Sequence, residues 1–210
     1  MRRIVSTLLI ITGLVILLYP LGKGYYVNYQ QDKLMKEWQE ISANLTEEAE
    51  GLEPVENDEA RIARKQEEAR LKARQEYIQN NVEGILTIDK INLKLPILKG
   101  ISPKNLEISA ASMENMGKPG QKGNYAISGH RNYGYGRHFN RLDELNVGDI
   151  ISLEANNAEY IYKVEEKLYV QPEEVWVLEA NGRDREITLI TCHPERNPTQ
   201  RLIIKGKLSY

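Results

Sequence analysis

Cysteine is almost absent from this sequence of 210 residues, and its scarcity excludes two kinds of structural site. Because Cys192 stands alone, the chain forms no intrachain disulfide bond and no thiolate-rich zinc site. The three histidines, His130, His138 and His193, lack the HExxH spacing of metal hydrolases, which leaves a metal hydrolase as a distant alternative.

The chain also lacks an excess of either charge. It has 28 Lys and Arg against 30 Asp and Glu, a formal net charge of −2, and it shows neither a basic stripe nor a nucleic-acid recognition motif. Wholesale attraction to nucleic acid therefore has no electrostatic support. Internal repeats are absent, and the length suits one globular domain with a substantial extension.

Acidic residues are missing from residues 1–29, where an uncharged run extends from Ile4 to Gly22. As a helix this run reaches roughly 28 Å, close to the hydrocarbon thickness of a bilayer. A cleaved secretory signal is the alternative, but it usually has a shorter apolar region and a small-residue cleavage site. We expect residues 1–29 to form a cytoplasmic tip and a transmembrane anchor, with Arg2 and Arg3 inside and the remainder outside the cell.

Residues 30–83 have few large apolar residues and a high density of charge. Bases are absent from Glu40–Glu59, and Gly51 and Pro54 interrupt any continuous helix there. No heptad of large apolar residues follows, so a coiled coil is disfavoured. We predict that 30–83 is a charged helical or flexible stalk.

Residues 84–210 are the globular part, and their short alternating runs predict an all-β barrel of roughly eight strands. Pro96 suits an edge strand or a bulge better than a central strand. A short helix is predicted over Asn105–Ser112 and a helical turn over Phe139–Leu145. The predicted strands are Gly84–Asp89, Ile91–Leu98, Asn124–Ser128, Ile150–Glu154, Glu159–Val170, Glu186–Cys192 and Arg201–Leu208.

Cys192 lies at the end of a predicted strand, where the core can hold a thiol that still opens onto a cleft. A free cysteine is most often a small buried hydrophobe. This one adjoins Thr191, His193 and Pro194 at a boundary between strand and loop, which favours a nucleophile.

A nucleophilic cysteine needs a partner that favours the thiolate or protonates the leaving group, and histidine is the usual one. His193 points to the opposite face of the strand, and His138 follows a glycine-containing loop. His130 ends a predicted strand, with Gly129 permitting close backbone approach, and is the best candidate, although a structural role stays open.

Arg201 supplies a cation that can stabilise the negative charge developing on a carbonyl oxygen. If the last two strands pair as a hairpin, Arg201 flanks Cys192. Taken in isolation, Arg201 is better explained as an ordinary surface arginine.

These motifs resemble those of the sortases, the membrane-anchored cysteine transpeptidases of Gram-positive bacteria. The resemblance rests on Ser128–Arg131, Thr188–Cys192 and Arg201, in the order and approximate spacing of that family, with support from Leu95–Gly100. It spans essentially all of Gly84–Tyr210.

The resemblance implies an eight-stranded sortase-like β-barrel and an attack by Cys192 on a Leu-Pro-x-Thr type sorting signal after the threonine. His130 would be the general acid, and Arg201 would hold the substrate or its oxyanion. The thioacyl enzyme would then react with an amine from peptidoglycan precursor or from another protein. By the same resemblance Thr191 is a supporting contact, and Trp176 either lines the substrate groove or belongs to the core.

The subclass is most like class D, with class A second. The sequence shows no C-terminal membrane segment and no convincing lid motif, which disfavours a pilin-polymerising enzyme. No cofactor is expected, and a calcium site is the less favoured alternative because the available acids are scattered. Those acids are Glu107, Glu114, Glu173 and Glu174.

Two other functions stay open from the sequence. A hydrolytic cysteine protease would use the same Cys–His pair but would usually need an Asn or Asp to orient the histidine, and Asn132 is too near in sequence. A non-enzymatic anchored scaffold would use the stalk to space a binding barrel from the membrane.

Overall fold

The computed structural model describes residues 2–44, 58–131 and 138–209, and it shows two long helices followed by a β-barrel. The helices are α1 (Arg2–Asn44), α2 (Asp58–Asn81) and α3 (Pro103–Ile108). The strands are β1 (Val82–Ile88), β2 (Leu93–Lys99), β3 (Ala110–Ser112), β4 (Gly123–Ser128), β5 (Ile150–Ala155), β6 (Ala158–Val170), β7 (Arg185–His193) and β8 (Gln200–Leu208). Short 3₁₀ helices lie at Asp89–Ile91, Phe139–Glu144 and Val175–Leu178.

The eight strands close into a barrel in the order β1-β2-β3-β4-β7-β8-β6-β5. Most neighbours are antiparallel, but β2 pairs with β3 and β4 pairs with β7 in parallel. Alternate apolar residues face inward, so that Ile187 and Leu189 of β7 meet Leu202 and Ile204 of β8 in the core. The predicted all-β barrel of eight strands with short helices is confirmed.

The helix predicted over Asn105–Ser112 is wrong in its second half. Helix α3 begins after Ser102, whose hydroxyl accepts a hydrogen bond from the Asn105 amide at 3.2 Å, and it ends at Ile108. The Ser109 hydroxyl then donates to the Pro96 carbonyl at 2.6 Å, and β3 follows. The small side chains of β3 give too weak an apolar pattern to reveal a strand of three residues.

Strand β2 is not the edge strand that Pro96 suggested. It lies between β1 and β3 in the closed barrel, and Pro96 is paired with Ile85 of β1. Pairing with β3 begins only at Ile97, so the proline directly precedes that ladder.

Helix α1 passes through the boundary predicted between residues 29 and 30 without a break, and its second half packs on the barrel. Leu34 is buried there with Ile78 of α2, and Trp38 and Ile41 pack beside them. The Gln31 amide donates to the Ile108 carbonyl at 2.8 Å. A flexible stalk therefore does not describe residues 30–44, which are helical and packed on the barrel, whereas most described side chains of α2 are exposed. The predicted interruption at Gly51 and Pro54 lies outside the described residues.

The first half of α1 carries one stretch that is long and apolar enough to cross a membrane, judged by length and composition. Its large side chains from Ile4 to Leu21 are exposed and make no core with the barrel.

Candidate active site

Cys192 and Arg201 lie directly opposite each other on the antiparallel strands β7 and β8. Residues at such positions share one face of the sheet, with Cβ atoms about 4.5–5.5 Å apart. Both side chains are half-buried, whereas Leu189 and Leu202 on the inner face are fully buried and fix the strands. The predicted hairpin is thus confirmed, and it makes Cys192 and Arg201 cross-strand neighbours at one end of the barrel, where Arg201 Nη1 donates to the Gln200 carbonyl at 3.1 Å.

His130 reaches the same end from the other side of β7. The last pair of the parallel ladder is Ser128 with Ile190, and the Gly129 amide extends it by donating to the Ile190 carbonyl at 3.0 Å. His130 is the next residue and is exposed. The three predicted residues therefore come from the ends of three neighbouring strands, β4, β7 and β8, and lie level with one another.

Gly129 is required because the chain passes directly against an aromatic ring. A Cβ atom at this position would lie 2.7 Å from the Phe139 ring, too close for any side chain. The Phe139 amide donates to the His130 carbonyl at 3.0 Å, which holds the backbone of the histidine. The predicted close backbone approach is present, and its partner is the 3₁₀ helix that starts at Phe139.

Thr191 is buried, and its hydroxyl donates to the Gly129 carbonyl at 2.8 Å. This contact joins the segments that carry Cys192 and His130, so Thr191 supports the site from below. Its side chain is buried and is not exposed at this end of the barrel.

Trp176 lies on the surface and is 50% exposed, so the alternative prediction that it belongs to the core is wrong. Its neighbour Val177 is buried instead, against Val170 and Ile203. The Asn124 amide donates to the Leu178 carbonyl at 3.0 Å and attaches this loop to the barrel.

His138 is a second imidazole beside the site, with its ring centroid 6.4 Å from that of His130. Burial, followed by the charge of His130, lowers the pKa of His138 from 6.5 to about 4. His138 is therefore neutral near pH 7.

A contact between Arg131 and His193 was not foreseen from the sequence. Arg131 Nη1 lies 2.9 Å from His193 Nδ1, and Arg131 Nη2 lies 2.9 Å from a carboxylate oxygen of Asp143. Arg131 directly follows His130, and His193 directly follows Cys192. This adjacency to two candidate catalytic residues is the one signal in the sequence. Nothing in the spacing pointed to Asp143.

The four glutamates considered for calcium lie in three separate parts of the fold, with Glu173 and Glu174 adjacent in one loop. Glu107 of α3 pairs with Lys23 at 2.9 Å, and Glu174 accepts a hydrogen bond from the Gln171 amide at 2.6 Å. Within residues 2–44, 58–131 and 138–209, no three His, Cys, Asp or Glu side chains converge as a metal site would require. Metal independence stays a prediction.

Comparison with known proteins gives a consistent family relationship. A family model described as the sortase domain matches residues 86–209. The chain is 34% identical to sortase A of Bacillus anthracis, over 98% of this chain and 93% of that protein. It is 28% identical to sortase D of Bacillus subtilis, over 99% of this chain and 98% of that protein.

Solved structures agree with these matches. A sortase D5 transpeptidase from Clostridium perfringens superposes with a TM-score of 0.64 at 26% identity, covering 87% of this chain and 99% of that one. Sortase C1 from Streptococcus agalactiae gives 0.65 at 26% identity, covering 85% and 98%.

Proposed function

This chain belongs to the sortase family, whose members are cysteine transpeptidases that attach surface proteins to the cell wall, and on that basis we propose its substrate and reaction. We propose that it cleaves a sorting signal of Leu-Pro-x-Thr type after the threonine through a thioacyl bond to Cys192. The acyl group then passes to an amine acceptor.

The observation that carries this proposal is the register of three strands. Cys192 is paired with Arg201 across β7 and β8, and the parallel neighbour β4 delivers His130 to the same level. A nucleophile, an acid and a cation at one end of a rigid barrel are the three groups that acyl transfer uses.

The first half of the reaction forms the acyl-enzyme. The Cys192 thiolate attacks the carbonyl carbon of the threonine, and the Arg201 guanidinium stabilises the charge on the carbonyl oxygen. The C–N bond then breaks, and the departing amine takes a proton from the His130 imidazolium. The products are a thioester on Cys192 and the free C-terminal part of the substrate.

The second half reverses the roles. An amine from peptidoglycan precursor or from another protein attacks the thioester, and neutral His130 accepts a proton from it. The C–S bond breaks, a new amide forms and the thiolate returns. No metal or other cofactor enters either half.

We further propose that α1 anchors the enzyme in the cell membrane by a single crossing, with its N-terminus in the cytoplasm. The exposed apolar half of the helix and the basic residues ahead of it support this arrangement. The barrel then meets surface proteins and the acceptor outside the cell. Among the sortase classes, we propose class D first and class A second.

The test is to mix the full chain in detergent with a Leu-Pro-x-Thr-Gly peptide and an amine such as triglycine, with and without EDTA. An amide product, the same rate with EDTA and no thioacyl species in Cys192→Ala are the expected results. Free acid alone would indicate a hydrolytic protease. A biological activity fully retained by Cys192→Ala would indicate a scaffold, and a rate lost with EDTA would restore the calcium site.

A further inference from the structure

Beyond the last paired residues of β4 and β7, the two segments stay linked through their next side chains. Arg131 follows His130 directly, and His193 follows Cys192 directly. Arg131 Nη1 lies 2.9 Å from His193 Nδ1. One hydrogen bond therefore joins the residues adjacent to the proposed nucleophile and to the proposed general acid.

The guanidinium of Arg131 is held firmly on its other side. Its side chain is 7% exposed, and Nη2 lies 2.9 Å from the carboxylate of Asp143. Asp143 belongs to the 3₁₀ helix Phe139–Glu144, and its backbone carbonyl accepts a hydrogen bond from Lys167 of β6. Arg131 thus has a fixed counter-charge on a fixed element, which limits the positions open to its Nη1 atom.

The contact also constrains the orientation of the His193 ring. A guanidinium has only donors, so this hydrogen bond needs Nδ1 of His193 as its acceptor. The ring packs at 4.4 Å from the Tyr169 ring, measured between centroids. His193 is therefore held from two sides, by a hydrogen bond and by an aromatic contact.

We propose that Arg131 is a positioning residue for the transfer reaction and that it acts through His193. The bridge keeps the Cys192 sulfur and the His130 ring at a constant separation, because both residues lie beyond the last paired residues of β4 and β7. Errors of about 1 Å in such a separation cost on the order of 10²-fold in rate. The inference rests on the proposed function, because it takes Cys192 and His130 as the reacting pair.

The experiment compares five variants of the full chain in detergent. Arg131→Lys keeps the charge but loses the planar fork, His193→Ala removes the acceptor, His193→Gln restores an acceptor oxygen, and the fourth variant combines Arg131→Lys with His193→Ala. The matched control is Arg141→Lys, since Arg141 binds Glu144 through two hydrogen bonds of 2.7 Å on the same 3₁₀ helix and does not contact His193. The readouts are kcat and KM for peptide transfer, and the rate at which iodoacetamide alkylates Cys192.

Arg131→Lys and His193→Ala are each expected to lower kcat by about 10- to 100-fold with KM within about twofold, and to slow alkylation. The kcat of the combined variant should be no lower than that of the less active single variant, since each single substitution already removes the same hydrogen bond. His193→Gln should recover part of the loss, and Arg141→Lys should match the wild type. Because His193 is only half-buried, its two variants test the bridge even where Arg131→Lys unfolds.

Any one of three results would overturn the proposal. These are a wild-type kcat in both single variants, decreases in kcat that multiply in the combined variant, and an equal decrease in kcat in Arg141→Lys. Alkylation separates this inference from the proposed function, because it needs no sorting peptide. If the wild type transfers no peptide, the proposed function fails, and the bridge is then judged on alkylation alone. Slower alkylation in both single variants supports it, and an unchanged rate refutes it.

Discussion

At the scale of single residues, the guanidinium of Arg201 has the most direct consequence for the proposed rate. Arg201 lies opposite Cys192 across β7 and β8, and an ammonium cannot reproduce the planar fork of a guanidinium. We expect Arg201→Lys to lower the rate of thioacyl formation by roughly 10²-fold, the size of effect seen when one oxyanion donor is lost. Rapid-quench measurement of the acyl-enzyme checks this.

The control for Arg201 is Arg183→Lys, which alters an exposed arginine in the loop before β7. It should leave the rate unchanged. An Arg201→Lys enzyme with wild-type acylation would remove Arg201 from the mechanism while leaving Cys192 and His130 in place.

His138 makes a separate prediction about acid stability. Burial lowers its pKa from 6.5 to about 4, so between these values the unfolded chain binds a proton that the folded chain refuses. The free energy of unfolding therefore falls as the pH falls through this window. His138→Gln should reduce the loss between pH 7 and pH 5 by about 2 kcal/mol, measured by urea unfolding at both pH values.

His130→Gln is the comparison for that measurement. The charge of His130 is the smaller of the two causes, so most of the acid loss should persist in this variant. If the free energy of unfolding falls equally between pH 7 and pH 5 in the wild type and in His138→Gln, then His138 does not control the acid sensitivity.

The contribution of sequence reasoning at this scale has a clear boundary. Cys192, His130 and Arg201 were accessible because strand ends and a hairpin follow from alternation and chain order. The partners of Arg131 and the exposure of Trp176 were not accessible. They depend on which side of a 3₁₀ helix meets the barrel, and no local pattern carries that information.

At the scale of elements, the docked second half of α1 stabilises the barrel in a way that can be measured. Leu34 is 5% exposed and packs against α2 and β2 residues, whereas Leu71 of α2 is 54% exposed. We expect Leu34→Ala to lower the free energy of unfolding by about 2 kcal/mol. Leu71→Ala should change it by less than about 0.5 kcal/mol.

Chemical unfolding of the full chain in detergent, followed by the near-ultraviolet signal, distinguishes these variants. Equal effects for the two leucines would mean that α1 is not docked in solution.

The docked helix and β3 were the elements that the sequence concealed. Leu34, Trp38 and Ile41 form an apolar stripe at helical spacing, but the abundant charges of residues 30–83 outweighed it. The longer strands were recovered because each carries several alternating residues. Strand β3 has three small residues, and its place in the barrel is decided by its neighbours β2 and β4.

At the scale of the whole molecule, the exposed apolar half of α1 predicts how the chain fractionates. The full chain should stay with membranes after extraction with alkaline carbonate, because about 19 apolar residues suffice to span a bilayer. Protease added to intact protoplasts should digest the barrel. Release of the full chain by carbonate, or protection of the barrel, would contradict the proposed crossing or its orientation.

Because α1 continues without a break from the apolar segment to the barrel, it sets how far the barrel is rotated about the helix axis and how far it lies from that segment. Lys23 contacts Glu107 and Gln31 contacts Ile108, so two contacts eight positions apart on one helix attach the end of that segment to α3. Adding one residue between the apolar segment and these contacts would rotate the barrel about the helix axis by about 100° and move it about 1.5 Å farther from that segment. Under the proposed anchoring, the length of this helix therefore sets which side of the barrel faces the membrane.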